Sequence, residues 1–216
     1  MNSNIYYGIQ CRMGSSRLPG KVLKLISGKE LVLHLFENLV SNNVPAENIY
    51  FLIPNTSDND ILESFLKNKG LNYLKGSEKD VFSRYKNLCV LLGKGNVIAR
   101  LTADNPFIDY RVIGSVLSKH IVKKAEFSST REIKSDNSII RYVPKGNSVD
   151  VFNTELLLNR DFNLTEFEEE HVIPVMYKLT PVNIVSSIDF DFEIQDSISV
   201  DTEDDFLRLK RSKNAS

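Results

Sequence analysis

Acidic residues are missing from the first 29 positions of this chain, although Arg12, Arg17, Lys21, Lys24 and Lys29 all lie there. That stretch has no charge of its own to balance it, and it reads as a segment built to meet anions. An overall positive charge is also lacking: 27 Lys and Arg stand against 28 Asp and Glu, for a net charge of −1. Nucleic-acid binding relies on neutralising many phosphates, so a nucleic-acid partner is disfavoured. Cysteine is scarce. Cys11 and Cys89 lie far apart beside apolar runs and form no CxxC pair, which leaves disulfide-rich and zinc-ribbon classes without support. No apolar run reaches the roughly 18 residues that a membrane helix needs. The opening Met1-Asn2-Ser3-Asn4 lacks the charged-then-apolar plan of a secretory leader, so the expected address is the cytoplasm, with no membrane partner.

What is present suits a globular protein. Hydrophobic residues make up 42% and charged residues 25% of the 216 positions, enough to bury one large core. A single domain over 1–216 is expected. The acids accumulate toward the far end, in Glu168-Glu169-Glu170 and in Asp201, Glu203, Asp204 and Asp205.

Apolar periodicity alternates between strand and helix. Ile5–Gln10, Ile49–Ile53, Leu71–Leu74 and Val97–Leu101 read as strands, dense in β-branched and aromatic residues. Leu31 to Val40, Asp60 to Lys69, Glu78 to Leu92 (capped by Ser77) and Asp109 to Lys123 carry helical spacing. Continuous apolar strands alternating with helices predict an α/β fold: a mainly parallel sheet covered by helices on both faces. From about 125 to 151 the pattern changes. Ser128–Ser138 reads as irregular and Ile139–Val143 as a strand, which predicts a small inserted antiparallel segment. Helices are then expected at Thr154–Asn159, Thr165–Leu179 and Glu203–Lys210, and strands at Asn183–Phe192 and Ser197–Val200, with Arg211–Ser216 as a tail.

Two segments carry the chemistry. The first, Cys11-Arg12-Met13-Gly14-Ser15-Ser16-Arg17-Leu18-Pro19-Gly20-Lys21, leaves the carboxyl end of the first strand, where open α/β sheets bind ligands. Gly14 and Gly20 let backbone N–H groups approach a phosphate, and Arg12, Arg17 and Lys21 supply cations. Val22 stands where a Walker A loop needs Ser or Thr, and GxGxxG is absent. The loop is a phosphate cradle or a solvated basic loop. In the second, Arg100-Leu101-Thr102-Ala103-Asp104-Asn105-Pro106, Asp104 ends a strand at the same sheet edge, as a metal ligand or as a turn residue. Mg²⁺ takes one or two carboxylates together with phosphate oxygens and water, so Asp104 needs a partner. Asp201, at another strand end, is the candidate, although acids at a helix start also serve the dipole alone. The spacings Asp58-Asn59-Asp60 and Asp189-Phe190-Asp191 could serve a glycosyltransferase metal or arise by chance. His171, beside the acidic run, is a proton carrier, an acceptor-binding group or a surface residue, whereas His34 and His120 read as structural.

CRMGSSRLPGKVL, RLTADNPFID and VDTEDDF, with the weaker PKGNSVDVF and EEHVIPVMY between them, resemble the acylneuraminate/KDO cytidylyltransferase family, in particular its spore-coat polysaccharide (SpsF-like) branch. The resemblance implies a glycosyltransferase-A-like nucleotidyltransferase fold that is usually dimeric through the inserted segment. It implies transfer of CMP from CTP to a small acceptor, a keto-sugar acid or a sugar or polyol phosphate, with release of pyrophosphate. Arg12, Gly14, Ser15, Arg17 and Lys21, with Arg100 and Thr102, would hold the nucleotide. Asp104 and Asp201 would hold Mg²⁺. Asp150, His171 and Arg141 would surround the acceptor. Thr102 departs from the glutamine that related enzymes place there. A nucleotide-sugar-dependent glycosyltransferase on the same fold and a non-catalytic nucleotide-binding module are the alternatives.

Overall fold

The computed structural model describes residues 4–134, 136, 138–159, 162–194 and 199–214. In chain order the elements are β1 (Ile5–Gln10), β2 (Leu25–Ile26), β3 (Lys29–Glu30), α1 (Leu31–Ser41), β4 (Ile49–Pro54), α2 (Asp60–Asn68), β5 (Tyr73–Gly76), α3 (Val81–Leu92), β6 (Val97–Thr102) and α4 (Tyr110–Val122). Then come β7 (Phe127–Ser129), β8 (Arg131–Ile133), β9 (Ile139–Arg141), β10 (Asp150–Asn153), α5 (Glu155–Leu158), α6 (Glu166–His171), α7 (Ile173–Leu179), β11 (Val182–Ile184) and α8 (Glu203–Asn214).

Seven strands form one sheet in the order β11-β7-β10-β6-β1-β4-β5. β5, β4, β1 and β6 run parallel, whereas β10 runs antiparallel between β6 and β7. The strands are apolar on both sides because both faces are covered. On one face Phe51, Ile53 and Leu101 pack under Leu35, Leu62 and Val112 of α1, α2 and α4. On the other, Leu52, Ile98 and Phe152 pack against Tyr85, Leu88 and Met176 of α3 and α7. Tyr85 lies so close to β1 that a Cβ on Gly8 would sit 2.8 Å from its Cε1, which explains the glycine in the middle of an apolar strand. Chain order reverses between β1 and β6, since β1 continues to β4 on one side and β6 lies on the other. This reversal opens a crevice at the carboxyl ends of the two strands.

Local structure departs from the sequence reading in several places. α3 begins at Val81 with Asp80 as its cap, because Asp80 accepts from Ser83 N while Ser77 Oγ is spent on Asp80 N. The stretch 128–138, expected to be irregular, supplies β7 and β8: β7 joins the main sheet, and β8 pairs with β9 as a separate hairpin. The helix expected over 165–179 breaks at Val172, where α6 ends and Pro174 opens α7. Proline has no N–H for the helical ladder and clashes with the carbonyl four residues before it. The strand expected over 183–192 is only β11, followed by a 3₁₀ turn at Ser187–Asp189. Of the strand expected at 197–200, residues 197 and 198 lie outside the described residues, and 199–200 form no strand. α8 continues to Asn214, four residues beyond its expected end, and 215–216 lie outside the described residues. Among the described residues no helix is long and apolar enough to cross a membrane.

Candidate active site

The loop after β1 is folded onto itself. Gly20 adopts φ 67°, and its N–H donates to Met13 O at 2.9 Å, closing the turn that delivers Lys21. Met13 N donates to Asn59 Oδ1 at 2.9 Å, and Asn59 is fully buried. The Asp58-Asn59-Asp60 segment therefore braces this loop. Asp58 accepts from Thr56 Oγ1 at 2.6 Å, and Asp60 lies 3.8 Å from Lys75. The second pair is equally occupied, since Asp189 accepts from Ser186 and pairs with Lys119, and Asp191 is exposed. Neither pair lines the crevice, which leaves the glycosyltransferase reading without its metal ligands.

A cleft of about 370 Å³ occupies the crevice. Arg12, Gly14, Ser15, Arg17 and Lys21 line it from the β1 loop, all of them expected to meet the nucleotide. Thr102, Asp104, Asp201 and His171 line the opposite wall. Lys21 Nζ lies 3.4 Å from Asp104 Oδ2 and 3.5 Å from Asp201 Oδ1, so those two oxygens are within about 7 Å of each other. Lys21 Nζ also donates to Val200 O at 2.7 Å, while Val200 N donates to Asp104 O at 2.8 Å. One ammonium and one backbone link thus gather three distant segments. Burial pulls the Asp201 pKa upward, but the cations of Lys145 at 3.0 Å, Lys21 and Arg17 outweigh it and hold the carboxyl below its usual range. Thr102 Oγ1 donates to Asp104 Oδ1 at 2.5 Å and accepts from Asn105 at 3.0 Å, which fixes the direction of the carboxylate. Asp109 is the cap of α4 and accepts from Arg111 N at 3.0 Å.

Two carboxylates facing a common point beside a cationic loop fit a divalent ion that keeps phosphate oxygens and water as its other ligands. Among the described residues no group of three or more His, Cys, Asp or Glu could cage a metal, so any ion here is completed by the substrate.

A second cleft, of about 230 Å³, adjoins the first and is walled by Ile133, Ile139, Phe167 and Pro174, with Arg100 and Arg131. Arg100, expected at the nucleotide, lines this cleft. It gives Nη1 to Asp150 Oδ2 at 3.0 Å and Nη2 to Gln10 Oε1 at 2.7 Å. Arg131 also pairs with Asp150 Oδ2, and Ser129 Oγ donates to Asp150 Oδ1 at 2.7 Å. Asp150, expected at the acceptor, is 1% exposed and lies beneath the cleft with both oxygens engaged, so its work is to hold two guanidinium groups in place. Arg141 is exposed on β9 and lines neither cleft.

Sequence reasoning missed Gln10 and Arg84 as cleft residues. Arg84 is 2% exposed, donates Nη1 to Leu52 O at 2.8 Å and has a buried Nε with no partner. A Cβ on Gly76 would lie 2.6 Å from its Cγ. The available signal was an arginine at an inward position of an amphipathic helix. Cys11 also lines the cleft, but burial pushes its thiol up to about 12, which makes it a poor nucleophile.

A Rossmann-like crevice with a basic glycine loop and a paired carboxylate site defines a nucleotide-dependent transferase. The sequence model of the cytidylyltransferase family matches residues 9–195. The chain belongs to that family and is a CTP-dependent nucleotidyltransferase. It is 28% identical over 219 aligned positions to the spore coat polysaccharide biosynthesis protein SpsF of Bacillus subtilis, covering 96% of this chain and 85% of that protein. It is 27% identical to 3-deoxy-manno-octulosonate cytidylyltransferase 2 of Hydrogenovibrio crunogenus, over 60% of this chain and 58% of that one. In fold it is similar to a cytidylyltransferase from Leptospira borgpetersenii, with TM-score 0.80, 23% identity, and coverage of 99% of this chain and 88% of the other.

Proposed function

We propose that this enzyme transfers CMP from CTP to a small sugar acid, releasing pyrophosphate and supplying an activated sugar for a surface polysaccharide. The observation that carries the reading is the convergence of Lys21, Asp104 and Asp201 in one cleft, with a doubly arginine-lined cleft directly beside it. The names of the SpsF and 3-deoxy-manno-octulosonate relatives agree with it. In the second cleft Asp150 offsets one of the two guanidinium charges, leaving a net charge of about +1. That balance suits a singly charged carboxylate better than a phosphate dianion.

Arg12, Arg17 and Lys21 bind and orient the triphosphate, and their cations offset the charge that accumulates on departing pyrophosphate. Asp104 and Asp201 would hold Mg²⁺, which supplies Lewis-acid polarisation of phosphate oxygens when bound. Arg100 and Arg131 orient the acceptor, and Ile133, Ile139 and Phe167 flank it with an apolar wall. Incubating the protein with Mg²⁺, each of the four NTPs and a panel of sugar acids and sugar phosphates, with pyrophosphate as the readout, tests the proposal. CTP with a sugar acid should give turnover, and Asp104→Ala should lose roughly 10²-fold or more. Turnover only with sugar phosphates, or an Asp104→Ala variant equal to wild type, would overturn the assignment.

A further inference from the structure

The two clefts meet at one side chain. Among the described residues only His171 lines both the 370 Å³ nucleotide cleft and the 230 Å³ arginine-lined cleft. An atom travelling from one bound molecule to the other passes this boundary, and so does the proton that the attacking oxygen must lose.

His171 also differs from the other two histidines of the chain. His34 Nε2 is 2.9 Å from Ile26 O. His120 is buried, with Nδ1 2.9 Å from Ser128 Oγ and Nε2 3.0 Å from Asn153 Oδ1. Both are occupied by the fold. Among the described residues neither ring nitrogen of His171 holds a hydrogen bond; the residue is exposed, and its ring makes an edge contact with Phe167, with centroids 4.4 Å apart. One nitrogen is therefore free to take a proton from a ligand.

The backbone beside it is strained. Val172, β-branched and fully buried, sits at φ 61° and ψ −52°, a conformation that such side chains rarely adopt. Strain of this kind persists only where the surroundings over-determine it, and it concentrates at functional sites. Here it ends α6 at His171, the residue at the boundary between the clefts.

We infer that His171 is the general base of the transfer, an inference that rests on the proposed acceptor cleft. The acceptor hydroxyl oxygen forms its bond to the α-phosphorus of CTP as the bond from that phosphorus to the bridging oxygen breaks. Pyrophosphate leaves with that electron pair, and the hydroxyl proton passes to the unprotonated imidazole. The charged groups facing His171 are Arg100 and Arg131 through the second cleft, and Glu170 from its own helix. The first cleft, which it also lines, holds Arg12, Arg17, Arg84 and Lys21, with Asp104 and Asp201.

The test uses the whole chain with CTP, Mg²⁺ and 3-deoxy-manno-octulosonate as the probe acceptor, comparing wild type with His171→Gln. The variant should lose roughly 10²- to 10⁴-fold in kcat. It should bind CTP as wild type does. Wild-type kcat/KM should carry an acidic limb that the variant lacks. Independently, the imidazole C2 protons of the three histidines give three NMR resonances, and His171 is identified by its absence from the variant. Addition of CTP and Mg²⁺ should move that resonance and leave those of His34 and His120 in place. A wild-type rate and pH profile in the variant, or a His171 resonance indifferent to CTP and Mg²⁺, would overturn the inference. If wild type fails to turn over the probe, the sugar-acid proposal is what fails, and the resonance alone decides the role of His171.

Discussion

The short helix that carries His171 is held at its start by a charge, and that charge can be removed without changing shape. Thr165 and Glu168 form a reciprocal capping box at the N-terminus of α6, with Glu168 Oε2 accepting from Thr165 N at 3.0 Å. Glu168 is 4% exposed and pairs with Lys178 of α7 at 2.5 Å. The Lys178 ammonium, followed by the Thr165 backbone N–H, brings its carboxyl from 4.5 down to about 2. At about 1.4 kcal/mol per unit, the full shift would correspond to roughly 3 kcal/mol of stability. The Lys178 side chain is 68% exposed, so water screens the pair, and about 1–2 kcal/mol is the realistic share. Because the folded pKa is depressed, the contribution is complete above pH 4.5 and disappears as pH falls toward 2. Glu168→Gln keeps a capping side chain of the same shape and removes only the charge. Urea denaturation of both proteins at pH 7 and pH 3 should show a gap of about 1–2 kcal/mol at neutral pH that closes by more than half at pH 3. A gap that stays constant with pH, or no gap at pH 7, would refute the reasoning, since other carboxylates titrate alike in both proteins.

Two further predictions concern the frame of the site. Asp150→Ala strands the Arg100 and Arg131 guanidinium groups without their counter-ion and should cost roughly 3–5 kcal/mol in denaturant unfolding; an unchanged midpoint would show that the network is not holding charge. Gly8→Ala places a methyl 2.8 Å from Cε1 of the fully buried Tyr85 and should cost about 1–3 kcal/mol, read as a lower Tm; a Tm equal to wild type would mean that α3 yields more readily than its packing implies.

The residues that line the first cleft were legible in the sequence because their signals are local. Glycine, proline and three cations are packed into the loop after β1, and Asp104 follows a run of apolar strand residues. Beyond Arg100 and His171, the second cleft was not, because it depends on pairings between segments distant in the chain. Nothing near Asp150 announces that β10 will slot antiparallel between β6 and β7 and set it opposite Arg100, 50 positions away. Arg84 was hidden for a similar reason, since helical periodicity does not reveal what lies under an inward arginine. The break at Val172 had a visible cause in Pro174, yet the apolar spacing on either side reads as one helix. The caps of α3 show the opposite limit: Ser77 and Asp80 both qualify, and only the backbone decides between them.

The reversed direction of β10 has a consequence for how the second cleft can vary. Every parallel strand presents its last residue at the ligand edge, whereas β10 presents its first, so the chain leaves the sheet after β7 and returns at that same edge. The excursion between them contains β8 and β9, whose Ile133 and Ile139 face the second cleft. Exchange of that hairpin for another would reshape the second cleft while Asp150 and Arg100 stay pinned in the sheet and the first cleft is untouched. Variation can be confined to one hairpin outside the main sheet, and the strands that frame the first cleft need not change with it.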